Sequence, residues 1–183
     1  QADDVARWSH PRWWIDALRR AYSAQWTAIL EASLAHPPFT LRVNARHGSV
    51  EASLAEFAEA GIPARPTGPD AVTLERAVPV GQLPGFAEGR VSVQDAGAQW
   101  AARLLDPRPG ERVLDACAAP GGKTGHLLER ADVALTARDV DAGRLARVRE
   151  NLDRLRLDAT LMQGDAARPD GWWDGRPFDR ILA

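Results

Sequence analysis

Several residue types are scarce in this 183-residue sequence, and each shortage narrows what the chain can be. Cys117 is its one cysteine, so no disulfide can form within the chain, which fits a reducing cytoplasm. No run of about 18 apolar residues occurs, as a membrane-spanning helix would need. The first residues also lack the charged-then-apolar pattern of a secretory signal. The sequence therefore predicts a cytoplasmic protein that does not enter a membrane.

An excess of basic residues is also missing. The net charge is −2, with 8 basic against 10 acidic residues in positions 1–88 and 15 of each in positions 89–183. Nucleic-acid-binding domains usually carry a basic excess, so composition alone gives no support for an RNA or DNA partner. Hydrophobic residues make up 45% of the chain, which is ordinary for one medium or two small globular domains.

Methionine and lysine each occur once. Because the chain starts at Gln1, contains only Met162 and stops at Ala183 within a predicted strand, we expect a fragment that is open at both ends. The other 22 basic residues are arginine, and the one lysine, Lys123, lies in a glycine-rich loop. Either coding bias has left this lysine by chance, or the loop needs an ammonium group that a guanidinium cannot replace.

The first half of the chain predicts a helix followed by a small α/β module. Residues 11–35 carry an apolar residue at every fourth position, which predicts one amphipathic helix. Its three tryptophans could stack on bases, but their helical spacing favours packing within the protein. Strand, helix and strand patterns follow up to residue 80, and a Gly- and Pro-rich connection ends this part. We therefore divide the chain into domains at residues 1–88 and 89–183.

Strand and helix patterns alternate from Arg90 onward. An apolar strand precedes the glycine-rich loop, a second strand ends at Asp139, a third ends before Gly164, and a fourth begins near the C-terminus. This alternation predicts an α/β fold with a parallel sheet and helices on both of its faces. In an open sheet of this kind, ligands bind beyond the carboxyl ends of the strands.

The loop "CAAPGGKTG", residues 117–125, has the features of an anion-binding turn. Gly121 and Gly122 let the backbone approach a ligand without a clashing Cβ atom. The helix that follows offers free N–H groups and a partial positive charge, and Lys123 adds a full charge. The Gly-Lys-Thr end matches a P-loop, but Cys117 stands where a P-loop has its first glycine.

Two carboxylates follow the next two strands and are expected at the same edge of the sheet. Asp139 lies 18 residues after Gly121, close to the spacing of about 20 residues at which an acidic residue binds a ribose. Asp165, preceded by Gly164, can face the amine of an adenine. The sequence therefore predicts a ligand with a ribose, a nearby anion and an adenine.

Three kinds of ligand contain a ribose, an anion and an adenine, and the loop distinguishes between them. ATP on a P-loop needs the missing first glycine, and a dinucleotide needs a G-x-G-x-x-G loop that the sequence does not contain. S-adenosylmethionine has a ribose, an adenine and a single carboxylate, for which a shorter loop is sufficient. We rank S-adenosylmethionine first and keep a P-loop-like nucleotide binder as the alternative.

Four segments in this order resemble the RNA cytosine-5 methyltransferases: "VQDAGAQ", "VLDACAAPGGKTGHLLE", "DVDAGRLARVRENLDRL" and "QGDA". The resemblance covers residues 11–183, is nearest to the members that act on 16S ribosomal RNA, and includes the highly specific "CAAPGGKT" after a strand. It implies a class I methyltransferase Rossmann-like parallel sheet, here truncated, preceded by a small α/β RNA-binding module. It also implies S-adenosylmethionine as cofactor, 16S ribosomal RNA as partner and a monomeric protein.

The resemblance also implies roles for individual residues. Asp139 would hold the ribose, Asp165 would lie by the adenine, and Asp115 would support the loop. The residues around the methionine part of the cofactor would be Cys117, Ala118, Ala119, Pro120, Gly121, Gly122 and Lys123. Three positions depart from the usual family pattern, namely Gly97, Gly125 and Arg138.

No catalytic residue is expected within this chain. In the family, a cysteine attacks C6 of the cytosine, which makes C5 nucleophilic, and the enzyme is then released. The mechanism uses two cysteines, and both are expected beyond Ala183. Cys117 lies near a helix N-terminus and Lys123, which favours thiol reactivity, but its place in the loop sets it against the cofactor. We expect His126 to be a solvated side chain on a helix surface.

A third reading of the whole chain is that residues 1–88 only dock RNA and that the second half is a degenerate scaffold.

Overall fold

A computed structural model describes residues 3–183 and separates the chain into two compact units, Gln1–Pro37 and Pro38–Ala183. The division that the sequence suggested after residue 88 stays a prediction about domain organisation. No helix in the described range is long and apolar enough to cross a membrane.

The first unit contains three short helices instead of the predicted long one. The prediction of a single helix over residues 11–35 is wrong, because the backbone leaves the helical region at Tyr22 (φ −134°, ψ 58°) and a polar turn follows. The unit's buried core is formed by Trp8, Ile15, Leu18 and Leu30. The helices are α1 (Asp4–Trp8), α2 (Arg12–Ala21) and α3 (Trp26–Leu34).

The tryptophans of this unit divide between packing and exposure. Trp26 packs edge-on against Trp8, with ring centroids 5.8 Å apart, as expected for a packing role. Trp13, in contrast, is 68% exposed, and Trp14 is 39% exposed. The expectation that helical spacing would bury these two residues is wrong, because the buried face of α2 is formed by Ile15 and Leu18.

The second unit begins with a small antiparallel sheet, whose strand order is β2-β3-β1-β4. The expected strand, helix and strand are present, but the second expected strand ends at Leu74 and an additional strand, Ala64–Gly68, precedes it. β4 pairs with β1, Leu41 lying opposite Val93. The elements are β1 (Phe39–Val43), α4 (Val50–Glu59), β2 (Ala64–Gly68), β3 (Ala71–Leu74) and β4 (Val91–Val93), with a 3-10 turn at Val80–Gln82 before β4.

A parallel sheet of strand order β7-β6-β5-β8 follows, as the alternating pattern predicted. Val113 and Ala137 face the helices and are fully buried. The elements are α5 (Ala96–Leu105), β5 (Arg112–Asp115), α6 (Gly122–Arg130), β6 (Ala134–Asp139), α7 (Ala142–Leu155), β7 (Thr160–Gln163) and β8 (Arg180–Leu182), with a 3-10 turn at Pro169–Gly171 before β8.

The α-helices of this part cover one face of the parallel sheet, since α6 packs against both α5 and α7. On the other face, Leu114 and Ile181 line a cavity of about 540 Å³ together with Trp172 and Phe178. Within residues 3–183, the second helical layer that the sequence led us to expect is therefore not observed.

Candidate ligand-binding site

The loop between β5 and α6 exposes the start of a helix. Gly121 precedes α6 in the left-handed region, at φ 98°, where glycine is favoured. Within the described part of the chain, no side chain caps the N-terminus of α6, so its first N–H groups are available to a ligand. Cys117 and Lys123 are exposed on this loop, while Ala118 and Ala119 are buried.

Asp139, at the end of β6, is joined directly to the loop. Its carboxylate accepts hydrogen bonds from the backbone N–H of Ala119, at 3.3 Å, and of Asp141, at 3.1 Å. The Arg144 guanidinium lies 3.5 Å from the same carboxylate and also donates to the Ala119 carbonyl. The structure thus brings two of the predicted elements, the loop and the acid after the second strand, into one site.

Asp165 is linked to this site through the backbone. The N–H of Gly164 donates to the carbonyl of Asp139 at 3.0 Å, which places the ends of β6 and β7 side by side. The Asp165 side chain is exposed and accepts a hydrogen bond from the N–H of Ala167. Asp165 therefore lies at the same edge of the sheet as Asp139, with its carboxylate accessible.

Arg138, one of the departures from the family pattern, lies beneath this edge. Its guanidinium stacks on the Trp172 ring, 3.7 Å from the centroid, and a Cβ atom at Gly164 would lie 1.9 Å from it. Burial lowers the pKa of Arg138, and the negative charge of Asp165 opposes that shift. Trp172 in turn donates to the Asp165 carbonyl at 3.2 Å, so the stack supports the Gly164–Asp165 turn.

Asp115 lies under the loop. The hydroxyl of Thr124 donates to its carboxylate at 2.7 Å, and both residues are buried. Burial raises the pKa of Asp115, while the hydrogen bonds from Thr124 and from the backbone at Cys117 oppose that shift. This geometry ties the end of β5 to the first turn of α6, which matches the supporting role expected for Asp115.

His126 is placed differently from its prediction. It is only 2% exposed, because α6 is covered on this side by β1 and α5, so the expectation of a solvated histidine is wrong. Burial, together with the nearby positive charges of Arg42, Arg130 and Arg103, lowers the pKa of His126 to about 3. The imidazole is therefore neutral near pH 7.

Sequence reasoning missed Arg42, a fully buried arginine on β1. Its guanidinium forms two hydrogen bonds with the Glu129 carboxylate, at 2.6 and 2.8 Å. It also donates to the Gln94 side chain at 2.6 Å and to the Gly122 carbonyl at 2.7 Å. Burial raises the pKa of Glu129, and the charge of Arg42 opposes that shift. Sequence patterns carry no signal for this residue, since Arg42 alternates with the apolar Leu41 and Val43 as a surface residue of a strand would.

Replacing Gly121 with alanine should destabilise the protein, because the new Cβ atom would lie 3.1 Å from Val148 Cα in addition to the cost of a positive φ. Gly110 is a matched control, since its φ is 84° and an added Cβ atom would meet nothing within 4 Å. We expect Gly121→Ala to lower the free energy of unfolding by about 1 kcal/mol more than Gly110→Ala does. Urea unfolding of the two variants measures this difference, and equal losses would contradict the close approach of α7.

Two family models match the chain. One, described as a Methyltr_RsmF/B-like ferredoxin-like domain, matches residues 10–81, and the other, described as 16S rRNA methyltransferase RsmB/F, matches residues 102–183. The chain is 56% identical to ribosomal RNA small subunit methyltransferase B of Pseudomonas putida and 50% identical to that of Vibrio cholerae. It spans 43% and 42% of those proteins, while 100% and 98% of the chain is matched.

Solved structures agree with these matches. A methyltransferase homolog protein from Pyrococcus horikoshii has a TM-score of 0.76 at 31% identity, over 88% of this chain and 55% of that protein. NSun6 from Pyrococcus horikoshii, solved with SFG, has a TM-score of 0.81 over 94% of this chain and 70% of that one. Because its identity is 17%, the second likeness shows the fold alone.

Proposed function

Because the chain belongs to the RsmB/F family of 16S rRNA methyltransferases, we propose that it forms the cofactor-binding half of an enzyme that methylates C5 of a cytosine in 16S ribosomal RNA. The methyl donor would be S-adenosylmethionine. The observation that carries this proposal is the hydrogen bond between the Asp139 carboxylate and the Ala119 N–H, which joins the acid and the glycine loop in one site.

The residues present fit the three polar parts of this cofactor. The free N–H groups at the start of α6, together with Lys123, suit the carboxylate of the methionine part. Asp139 suits the ribose hydroxyls, and Asp165 suits the amine of the adenine. When bound, the cofactor supplies a methyl group on a sulfonium. Residues 117–123, Asp139 and Asp165 would bind and orient it.

The nucleophile would come from another part of the protein. C5 of cytosine reacts only after a thiolate has added to C6, and Cys117 belongs to the loop that would hold the cofactor. We infer that the two catalytic cysteines lie outside this chain and that this chain supplies cofactor binding. Residues 1–88 would form the RNA-docking module, and the protein would act as a cytoplasmic monomer.

The runner-up function is a P-loop-like nucleotide binder. Its support is the Gly-Lys-Thr run that ends the loop, and Cys117 in place of the first P-loop glycine counts against it. The third reading, an RNA-docking module beside a degenerate scaffold, would show RNA binding without cofactor affinity.

The full-length protein tests these readings when it is incubated with methyl-labelled S-adenosylmethionine and 16S ribosomal RNA. We expect label in 5-methylcytidine at one position and none in 23S ribosomal RNA, which serves as the control. Millimolar ATP should leave micromolar S-adenosylmethionine binding unchanged. Competition by ATP would favour the P-loop reading, and RNA binding without cofactor binding would favour the scaffold reading.

A further inference from the structure

Arg42 connects the antiparallel sheet to the start of α6. Its side chain is 1% exposed, and every polar atom of the guanidinium has an acceptor: Glu129 takes two N–H groups, and Gln94 and the Gly122 carbonyl share the third nitrogen. A buried cation needs such complete pairing to be tolerated. Only one of these acceptors, Gly122, belongs to the loop that would bind the cofactor.

The bond to Gly122 acts on the amide that follows it. The carbonyl of Gly122 and the N–H of Lys123 belong to one planar peptide unit, so fixing the oxygen fixes the direction of the N–H. This N–H is one of the unpaired donors in the first turn of α6. A charged donor on the carbonyl also polarises the peptide and makes its N–H a stronger donor.

The neighbouring glycine shows how closely this region is packed. A Cβ atom at Gly125 would lie 2.6 Å from the Leu155 side chain and 3.6 Å from the Arg42 guanidinium. Gly125 was one of the departures from the family pattern. Because α6 is closely packed between Arg42 and α7, a shift of the guanidinium would be transmitted to the loop.

We propose that Arg42 is a positioning residue for the cofactor site: it orients the Gly122–Lys123 peptide so that the Lys123 N–H faces the carboxylate of S-adenosylmethionine. This inference rests on the proposed cofactor-binding function. A lysine at position 42 could keep a charge near Glu129, but a single ammonium cannot reproduce the planar fork that reaches three acceptor groups at once.

The test compares three variants of the full-length protein. Arg42→Lys replaces the planar guanidinium, which reaches three acceptor groups, with a single ammonium group. The double variant Arg42→Met/Glu129→Met removes the ion pair without leaving an unpaired buried charge, so it should fold even where Arg42→Lys does not. Arg180→Lys is the matched control, because Arg180 also forms two bonds to a glutamate, Glu111, and one to a carbonyl, that of Leu105, away from the loop.

Binding of S-adenosylmethionine is measured by calorimetry, and hydrogen exchange of residues 121–125 is measured without ligand. We expect Arg42→Lys and the double variant to raise Kd about tenfold and to speed exchange in this segment, whereas Arg180→Lys changes Kd less than about twofold. A folded Arg42→Lys or double variant with the wild-type Kd and exchange would overturn the inference, and so would an equal loss of affinity in Arg180→Lys.

The exchange measurement also separates this inference from the proposed function. If the wild-type protein does not bind S-adenosylmethionine but exchange at residues 121–125 rises in Arg42→Lys, the cofactor assignment fails and the positioning of the loop by Arg42 stands. If the wild type binds and neither measurement changes, the cofactor assignment stands and the positioning role is wrong.

Discussion

Replacing Asp139 with asparagine in the full-length protein should weaken S-adenosylmethionine binding by about 1.5–3 kcal/mol, or roughly 10- to 150-fold in Kd. The Asp139 carboxylate would accept hydrogen bonds from the ribose hydroxyls. The asparagine side chain has nearly the same size but carries no charge. It would also turn an NH₂ group toward the N–H of Ala119 or of Asp141, which now donate to the two oxygens. The substitution would therefore disturb both the glycine loop and the proposed contact with the ribose.

Asp141→Asn is the matched control for this prediction. It makes the same change of charge two residues away, at the N-cap of α7, where the carboxylate accepts a hydrogen bond from the N–H of Arg144. We expect its Kd to stay within about threefold of wild type, since a cap contributes to helix stability rather than to the ligand. An unchanged Kd in Asp139→Asn would remove the ribose assignment, provided that the variant is folded.

Acid should destabilise the protein through His126. Its pKa is about 3 in the folded state, against an ordinary value of 6.5 in the unfolded chain. The unfolded state therefore binds a proton below about pH 6.5 while the folded state does not. The part of the free energy of unfolding that depends on neutral His126 is therefore fully present above pH 6.5. It declines by about 1.4 kcal/mol per pH unit as the pH falls toward 3.

Urea unfolding of the full-length protein at pH 7, 6 and 5 measures this effect. The free energy of unfolding should fall more steeply in the wild type than in His126→Gln, which cannot titrate at this position. Comparison of the two curves also removes the opposite contributions of Asp115 and Glu129, whose raised pKa values favour the folded state on acidification. Parallel curves for the wild type and His126→Gln would refute the prediction.

The parts of the site that lie close together in sequence were predictable. The alternation of strands and helices after Arg90 identified the parallel sheet, because each element carries its own period of apolar residues. The carboxyl ends of parallel strands meet at one edge, so Asp139 could be placed near the loop without coordinates. The contact between Asp139 and Ala119 agrees with that placement.

The features that sequence reasoning missed depend on contacts between distant residues. Arg42 and Glu129 are 87 positions apart, and each looks like a surface charge until β1 packs on α6. His126 was assigned to a helix surface because nothing in its own segment shows that the antiparallel sheet covers it. The break after Tyr22 was missed because apolar residues continue at every fourth position across it.

The junction between the two sheets limits how far they can move relative to each other. Only Gln94 and Asp95 separate β4, in the antiparallel sheet, from α5, which packs on α6. The Gln94 backbone carbonyl accepts a hydrogen bond from the Gln99 side chain, and Asp95 caps α5. Such a junction leaves no free backbone to serve as a hinge. If the small sheet docks RNA as we propose, that RNA would keep a fixed position relative to the glycine loop, since both lie in the compact unit Pro38–Ala183, and the target nucleotide would reach the methyl group by leaving its stack.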